Sequence, residues 1–286
     1  MANIIIAQPH GFCFGVSRAI EITQKTAKSS KKPVFMLGEL VHNQHVADWL
    51  ESDLKIKTVQ SLEEIPPGSI VIIRAHGAAP SVFQQARDKG LEIVDASCPL
   101  VLKSHQIVKD LSAQKKDIIF LCNKIDHDET IGVVGEAHDF VIPITLTDIF
   151  DLKIKNPKDT VIITQTTLST IETKKALDFI KNKYPDITIL PHICQATTDR
   201  QNAIIKLARR HKFVIIVGSP TSANSNSLKS VAESSGAQSY IVDDASELKR
   251  EWFTPNQKNI AISSGASTPE DVLDQVVKKI KEFTHQ

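Results

Sequence analysis

The stretch ITILPHICQATTDRQNAIIKLARRHKFVIIVGSPTSANSNSL, residues 187–228, decides the fold. Ile187–Leu190 is a short β-branched run and Phe213–Val217 is a second, wholly apolar one. Between them RQNAIIKLARR sets apolar residues at helical spacing. A short strand, a helix and a second strand in this order predict parallel α/β architecture. A strand without polar alternation, such as the second, suits a sheet covered on both faces. Cys194 falls where the first strand gives way to the helix, and a serine-rich loop opens where the second strand ends.

Outward from this stretch the same alternation covers the chain. Candidate strands are Asn3–Ala7, Val34–Leu37, Ser69–Arg74, Glu92–Asp95, Asp117–Cys122, Thr160–Thr164, Ser239–Val242 and Asn259–Ser263. Helical spacing recurs in VSRAIEITQKTAK, PSVFQQARDKG, LSTIETKKALDFIKNK and PEDVLDQVVKKIKEF. Pro269 and Glu270 open the last of these, where proline and acid suit a first helical turn. Cys13 and Cys98 occupy the setting of Cys194, each after a short apolar run and before a helical stretch. Cys13 and Cys98 are 85 residues apart, Cys98 and Cys194 are 96 apart, and so each third of the chain supplies one thiol. No residue-level repeat accompanies this spacing. It predicts three similar small α/β lobes around a central site: residues 1–97, 98–193 and 194–286.

Composition narrows the function classes. The 286 residues carry 34 Lys and Arg against 33 Asp and Glu, which leaves no broad basic field for nucleic acid or an acidic membrane. Aromatic residues are 5%, too few for base-stacking platforms. No apolar run approaches the roughly 18 residues of a membrane span. The segment MANIIIAQPHG has neither the basic start nor the long apolar run of a signal peptide, so a reducing, cytoplasmic setting is expected. There cysteines bind metal or react rather than pair as disulfides.

The four cysteines divide. Cys122 ends the apolar run IIFLC, where a free thiol behaves as a small hydrophobe. The other three stand at helix starts, where the helix N-terminus is expected to favour thiolate, the form that ligates metal. Gly11 and Gly15 beside Cys13 allow close backbone approach to a bulky group, and Pro99 after Cys98 fits a first helical position. The chain has no C-x-x-C pair, so zinc-ribbon and ferredoxin spacings are missing. Three thiolates on an iron–sulfur cluster leave one iron without a protein ligand, the open position a catalytic site keeps.

The other unusual polar residues sit after strands, where parallel sheets bind ligands. His42 lies in GELVHNQH, His76 in AHGAAP, His127 and Glu129 in NKIDHDETIG, and Thr166 in the run after VIIT. His127 with Glu129 offers a proton-transfer pair. The loops SPTSANSNS and SGASTPED present hydroxyls, an amide and free N–H groups at helix starts, a combination that binds phosphate oxygens; Ser222, Asn224 and Ser267 are the candidate contacts. Each also fits an ordinary N-cap or turn. His10, His105, His138, His192, His211 and His285 read as surface or structural residues. The residues alone leave three readings: an iron–sulfur redox site, a zinc-dependent hydrolase acting on a phosphorylated substrate, or a phosphate-binding module with structural thiols.

GFCFGVSRAI (11–20), ELVHNQHV (39–46), RAHG (74–77), DASCPLV (95–101), TQTTLS (164–169), ICQATTDRQ (193–201), SANSNSL (222–228) and SGAST (264–268) occur in family order and cover nearly the whole chain. In these motifs the chain resembles the 4-hydroxy-3-methylbut-2-enyl diphosphate reductases, the LytB family. The resemblance implies an oxidoreductase that forms isopentenyl and dimethylallyl diphosphate in the last step of the non-mevalonate isoprenoid pathway. It implies a trefoil of the three α/β lobes, with the N-terminal strand and the Cys13 loop packing with the third, around one [4Fe–4S] cluster per chain held by Cys13, Cys98 and Cys194, with the substrate hydroxyl on an open apical iron. His42, His76, His127, Thr166, Ser222, Asn224, Ser267 and the position of Ala223 become substrate-binding. Glu129 becomes the proton donor, with His127 and Thr166 also in the catalytic set. A ferredoxin or flavodoxin-type protein is the implied electron donor. The chain departs from the family pattern at His10, where Arg is usual, at Asn123, Lys124 and Asp128 within NKIDHDE, at Gln195 in place of Tyr, and at Ala223 in place of Ser.

Overall fold

Each apolar run forms a parallel strand, and the amphipathic stretches between them form helices over the sheets. The computed structural model describes residues 3–253 and 259–284. The chain begins with β1 (Asn3–Ile6) and α1 (Phe14–Ser29). Next come β2 (Val34–Leu37), α2 (Gln44–Leu54), β3 (Lys57–Val59), β4 (Ile70–Ile73), α3 (Pro80–Asp88) and β5 (Glu92–Asp95). The middle third holds α4 (Pro99–Ala113), β6 (Asp117–Cys122), α5 (Asp128–Val134), β7 (Val141–Thr145), β8 (Thr160–Thr164), α6 (Thr170–Lys183) and β9 (Thr188–Leu190). The last third holds α7 (Gln195–Arg210), β10 (Phe213–Val217), α8 (Ala223–Ser234), β11 (Gln238–Val242), β12 (Asn259–Ser264) and α9 (Glu270–Thr284).

The strands make three four-stranded sheets, ordered β3-β2-β4-β5, β7-β6-β8-β9 and β11-β10-β12-β1. These are one order used three times. In each sheet two consecutive strands lie on one side of a central pair's junction and two on the other, which creates a topological switch point. The expected three-lobed α/β architecture is therefore present. The third sheet is completed by the N-terminal strand, with Asn3 opposite Asn259 and Ile6 opposite Ile262.

Burial follows position in the sheet. The central strands β4, β8 and β10 are buried at every residue, whereas the edge strands β5 and β9 contain no buried residue. The sequence pattern missed β3 and β7, and both are edge strands. β3 has three residues, too few to show alternation, and β7 carries Pro143, which an edge strand tolerates because it need not donate on its outer side. Among the described residues no helix is long and apolar enough to cross a membrane.

Candidate active site

The repeated strand order gives every site residue an address. The three cysteines follow the edge strands β1, β5 and β9, and each is the N-cap of the next helix: Cys13 of α1, Cys98 of α4 and Cys194 of α7. Each cysteine N–H donates to a carbonyl just past the neighbouring central strand: Cys13 to Ala266 at 3.0 Å, Cys98 to Ala75 at 2.9 Å and Cys194 to Thr166 at 2.9 Å. The next residue after the first two acceptors is Ser267 or His76; in the third, Thr166 is itself the acceptor. One hydrogen bond per lobe thus sets a thiol beside a candidate substrate contact.

The thiols converge. A Cβ built on Gly15 would come within 2.6 Å of Cys98 Sγ and 3.9 Å of Cys13 Sγ, so glycine is required where α1 passes these sulfurs. Cys13, Cys98 and Cys194 line one cavity with His42, His76, His127, Glu129 and Thr166. The expectation that helix N-termini would favour thiolate is corrected for two of them. Burial outweighs the helix N–H groups and pushes the Cys98 and Cys194 thiols up, and the other site cysteines add to the rise. Cys98 and Cys194 are therefore neutral thiols in the metal-free chain. Only Cys194 makes a side-chain cap, its Sγ accepting the Thr197 N–H at 3.3 Å. Cys122 is fully buried at the end of β6 and is absent from the cavity wall; burial pushes its thiol up to about 11.

Glu129 stands in the first turn of α5 and is 1% exposed. Its Oε1 accepts the Thr166 backbone N–H at 2.8 Å, and Thr166 Oγ1 donates to Oε2 at 2.9 Å. Burial raises its pKa to about 7 although both Thr166 bonds oppose the rise. The expected His127–Glu129 side-chain pair is not formed. His127 is the N-cap of α5, and its Nδ1 accepts the Glu129 backbone N–H at 3.1 Å. That acceptor role places the proton of the neutral ring on Nε2. Burial, followed by the neighbouring His42, lowers His127 to about 4.

The three histidines form a cluster. His42 stacks on His76 with centroids 4.2 Å apart, and His127 meets both edge-on at 5.3 and 5.5 Å. One ring nitrogen from each falls within 4.8 Å of the others. Burial and then His42 hold His76 well below the usual histidine range, and its Nδ1 has no hydrogen-bond partner. A buried ring nitrogen without a partner costs stability unless a ligand satisfies it.

The opposite wall comes from the third lobe. Ser222 is the N-cap of α8, with Oγ accepting the Ser225 N–H at 3.4 Å; Ala223 follows it on the cavity wall. Asn224 Oδ1 accepts the Ala266 N–H at 3.0 Å, and its Nδ2 donates to Thr197 Oγ1 at 3.4 Å. Ser267 Oγ donates to the His42 carbonyl at 3.4 Å, which joins the third lobe to the first. Ser222 is therefore both an N-cap and a cavity residue, so the two sequence readings are compatible.

Several contributors escaped sequence reasoning. Arg74 Nη1 donates to Asp128 Oδ2 at 2.6 Å across the first and second lobes, and the same Asp128 oxygen lies 3.6 Å from His42 Nε2. Thr197 holds Cys194 and Asn224 together. An unusual threonine pair after a cysteine was the only signal for it. Of the histidines read as structural, His105 is buried against Glu136 at 2.8 Å and His192 lies 3.0 Å from the Leu100 carbonyl. His10 lies 3.4 Å from Glu270, and His285 lies outside the described residues.

The donor set fits an iron–sulfur group: three soft sulfurs from three lobes and a glycine where a Cβ would intrude. Comparison with known proteins points the same way. The profile of the family described as LytB protein matches residues 4–281. The 4-hydroxy-3-methylbut-2-enyl diphosphate reductase of Neisseria gonorrhoeae is 39% identical over 99% of this chain and 88% of its own length. That of Methylococcus capsulatus is 37% identical over 98% and 91%. The solved structure of the E-1-hydroxy-2-methyl-but-2-enyl-4-diphosphate reductase from Plasmodium falciparum superposes with a TM-score of 0.93 at 32% identity, covering 100% of this chain and 90% of that one. A match of this extent, to a family model, to sequences and to a solved fold, has one reading: the chain belongs to the LytB protein family.

Proposed function

We propose that this chain reduces 4-hydroxy-3-methylbut-2-enyl diphosphate to isopentenyl and dimethylallyl diphosphate, with Cys13, Cys98 and Cys194 holding a [4Fe–4S] cluster. The observation that carries the reading is the meeting of three thiols with a buried carboxyl whose pKa is about 7. Removing an allylic hydroxyl as water takes two electrons and two protons. Cys13, Cys98 and Cys194 would hold the cluster, which would supply single electrons and Lewis acidity at this cavity.

The chain's own residues supply the rest. Hydroxide leaves poorly, and Glu129 is poised to protonate it, being about half protonated near neutral pH. Thr166 fixes both carboxyl oxygens and so aims that proton. His42, His76 and His127 receive the diphosphate as N–H donors, His127 through Nε2. Ser222, Asn224 and Ser267 bind it from the other wall with hydroxyls, an amide and the N-terminal dipole of α8. Electrons come from a ferredoxin or flavodoxin-type protein, and the free thiols at the site suit a cytoplasmic, reducing compartment.

The test is turnover under anaerobic conditions with a chemically reduced viologen as electron source. Conversion of the hydroxylated diphosphate to the two C5 diphosphates is expected. A protein with full iron and sulfide content that leaves the substrate unchanged would overturn the proposal.

A further inference from the structure

Arg200 belongs to the ICQATTDRQ motif, yet no step above uses it. It is 2% exposed, six residues beyond Cys194 on the buried face of α7. Its Nη2 donates to the Gly11 carbonyl at 2.7 Å and its Nη1 to the Ala196 carbonyl at 3.3 Å; Nε is buried without an acceptor. One guanidinium therefore spans from the loop two residues before Cys13 to the first turn of the Cys194 helix. No carboxylate among the described residues forms an ion pair with it. Asp199, its chain neighbour, is exposed and accepts from Gln195 Nε2 at 2.7 Å.

A cation taken out of water is expensive unless an anion offsets it, and carbonyl oxygens alone offset it poorly. Burial draws the Arg200 pKa down, and the groups that most oppose this are Cys13 and Cys194, ahead of Asp199. Its two bonds end on carbonyls two residues from Cys13 and two residues from Cys194, so the missing counter-charge would be the sulfur centre once a cluster has displaced its protons. We infer that Arg200 is a positioning residue that locks the Cys13 loop to the Cys194 helix and supplies the fixed positive charge of the three-thiolate centre. The inference rests on the proposed cluster. A cation fixed between the Cys13 loop and the Cys194 helix stabilises the reduced, more negative state over the oxidised one and so raises the reduction potential.

The experiment is a redox titration, followed by visible absorption and electron paramagnetic resonance, of anaerobically reconstituted wild type, Arg200→Lys and Arg200→Gln. Arg200→Gln is expected to keep its iron and sulfide. Its reduced-to-oxidised ratio at the wild-type midpoint should fall about tenfold or more, which is about 59 mV for a one-electron couple. Arg200→Lys should stay within about twofold of wild type. An unshifted Arg200→Gln, or an Arg200→Lys shifted as far as Arg200→Gln, overturns the inference. Should Arg200→Gln not fold, Arg200→Lys decides: a folded protein with wild-type potential supports a charge requirement, and a misfolded or shifted one refutes it. Wild type that takes up no iron and sulfide fails the cluster reading, and this inference with it. Wild type that does, beside an unshifted Arg200→Gln, removes this inference alone.

Discussion

Apart from the three thiols, the first and second lobes line the cavity with three histidines and a carboxyl, whereas the third lobe lines it with hydroxyls and an amide. Burial keeps the His76 and His127 imidazoles neutral and holds the Glu129 carboxyl near half protonation. Ser222, Asn224 and Ser267 offer the same hydrogen bonds at every pH between the carboxylate and lysine ranges. The titrating wall moves protons and responds to its neighbours' charges. The hydroxyl wall holds position. Substitutions should separate these two kinds of work.

Glu129→Gln should have the largest effect. It keeps the shape and one acceptor for Thr166 but removes the transferable proton, so kcat should fall by about 100-fold or more while iron and sulfide stay at wild-type content. Steady-state turnover with metal analysis checks this. A variant retaining more than a tenth of wild-type kcat would move the proton donor elsewhere.

The pH response follows from the same carboxyl. A donor with a pKa of about 7 predicts kcat falling about tenfold per unit above that value. Stability carries the matching sign. The Glu129 pKa is raised in the folded chain, so its contribution is present below about 4.5 and is lost as pH rises through about 7. His127 is lowered to about 4, so its contribution is present above 6.5 and is lost as pH falls through about 4. In the metal-free protein, Glu129→Gln should therefore gain stability over wild type between pH 5 and 8, roughly one side of that window to the other. Denaturant unfolding at each pH measures the gain, and parallel curves would contradict the assigned burial cost.

Asp128→Asn probes a charge behind the histidine wall, within reach of His42, at a position where the resemblance implies none. Asp128 lies 3.6 Å from His42 Nε2 and so competes with an anionic ligand for that edge of the cluster. Two charges about 4 Å apart in water interact by about 1 kcal/mol, so KM for the diphosphate should fall roughly fivefold with kcat little changed. A rise in KM would mean that the Arg74–Asp128 bond matters more as a brace than as a charge. Ala223→Ser, on the hydroxyl wall, should act least. One restored hydroxyl adds about 1 kcal/mol of binding and lowers KM by a few-fold, with no change in pH profile.

The parts of the site that sequence disclosed are those fixed locally. Cys13, Cys98 and Cys194 declare themselves because each ends a strand and caps a helix, and the backbone bonds that gather them repeat with the strand order. Glu129 and Thr166 were legible as loop residues, but their mutual bond joins two strands' loops and has no local signature. Arg200 was hidden for the opposite reason. Inside a helix with basic residues at its end, a charged position reads as a solvated face, and only the packing of α7 shows it buried. The edge strands β3 and β7 were missed because half-exposed, short or proline-containing strands lack an apolar run.

The central claim is that three helix-capping thiols form one metal centre and the fourth thiol takes no part. Iron and acid-labile sulfide content after anaerobic reconstitution tests it directly in four single variants: Cys13→Ser, Cys98→Ser, Cys194→Ser and Cys122→Ser. The first three should lose most of their iron and sulfide, and Cys122→Ser should keep wild-type content. Full content in any of the first three, or loss confined to Cys122→Ser, would contradict the account.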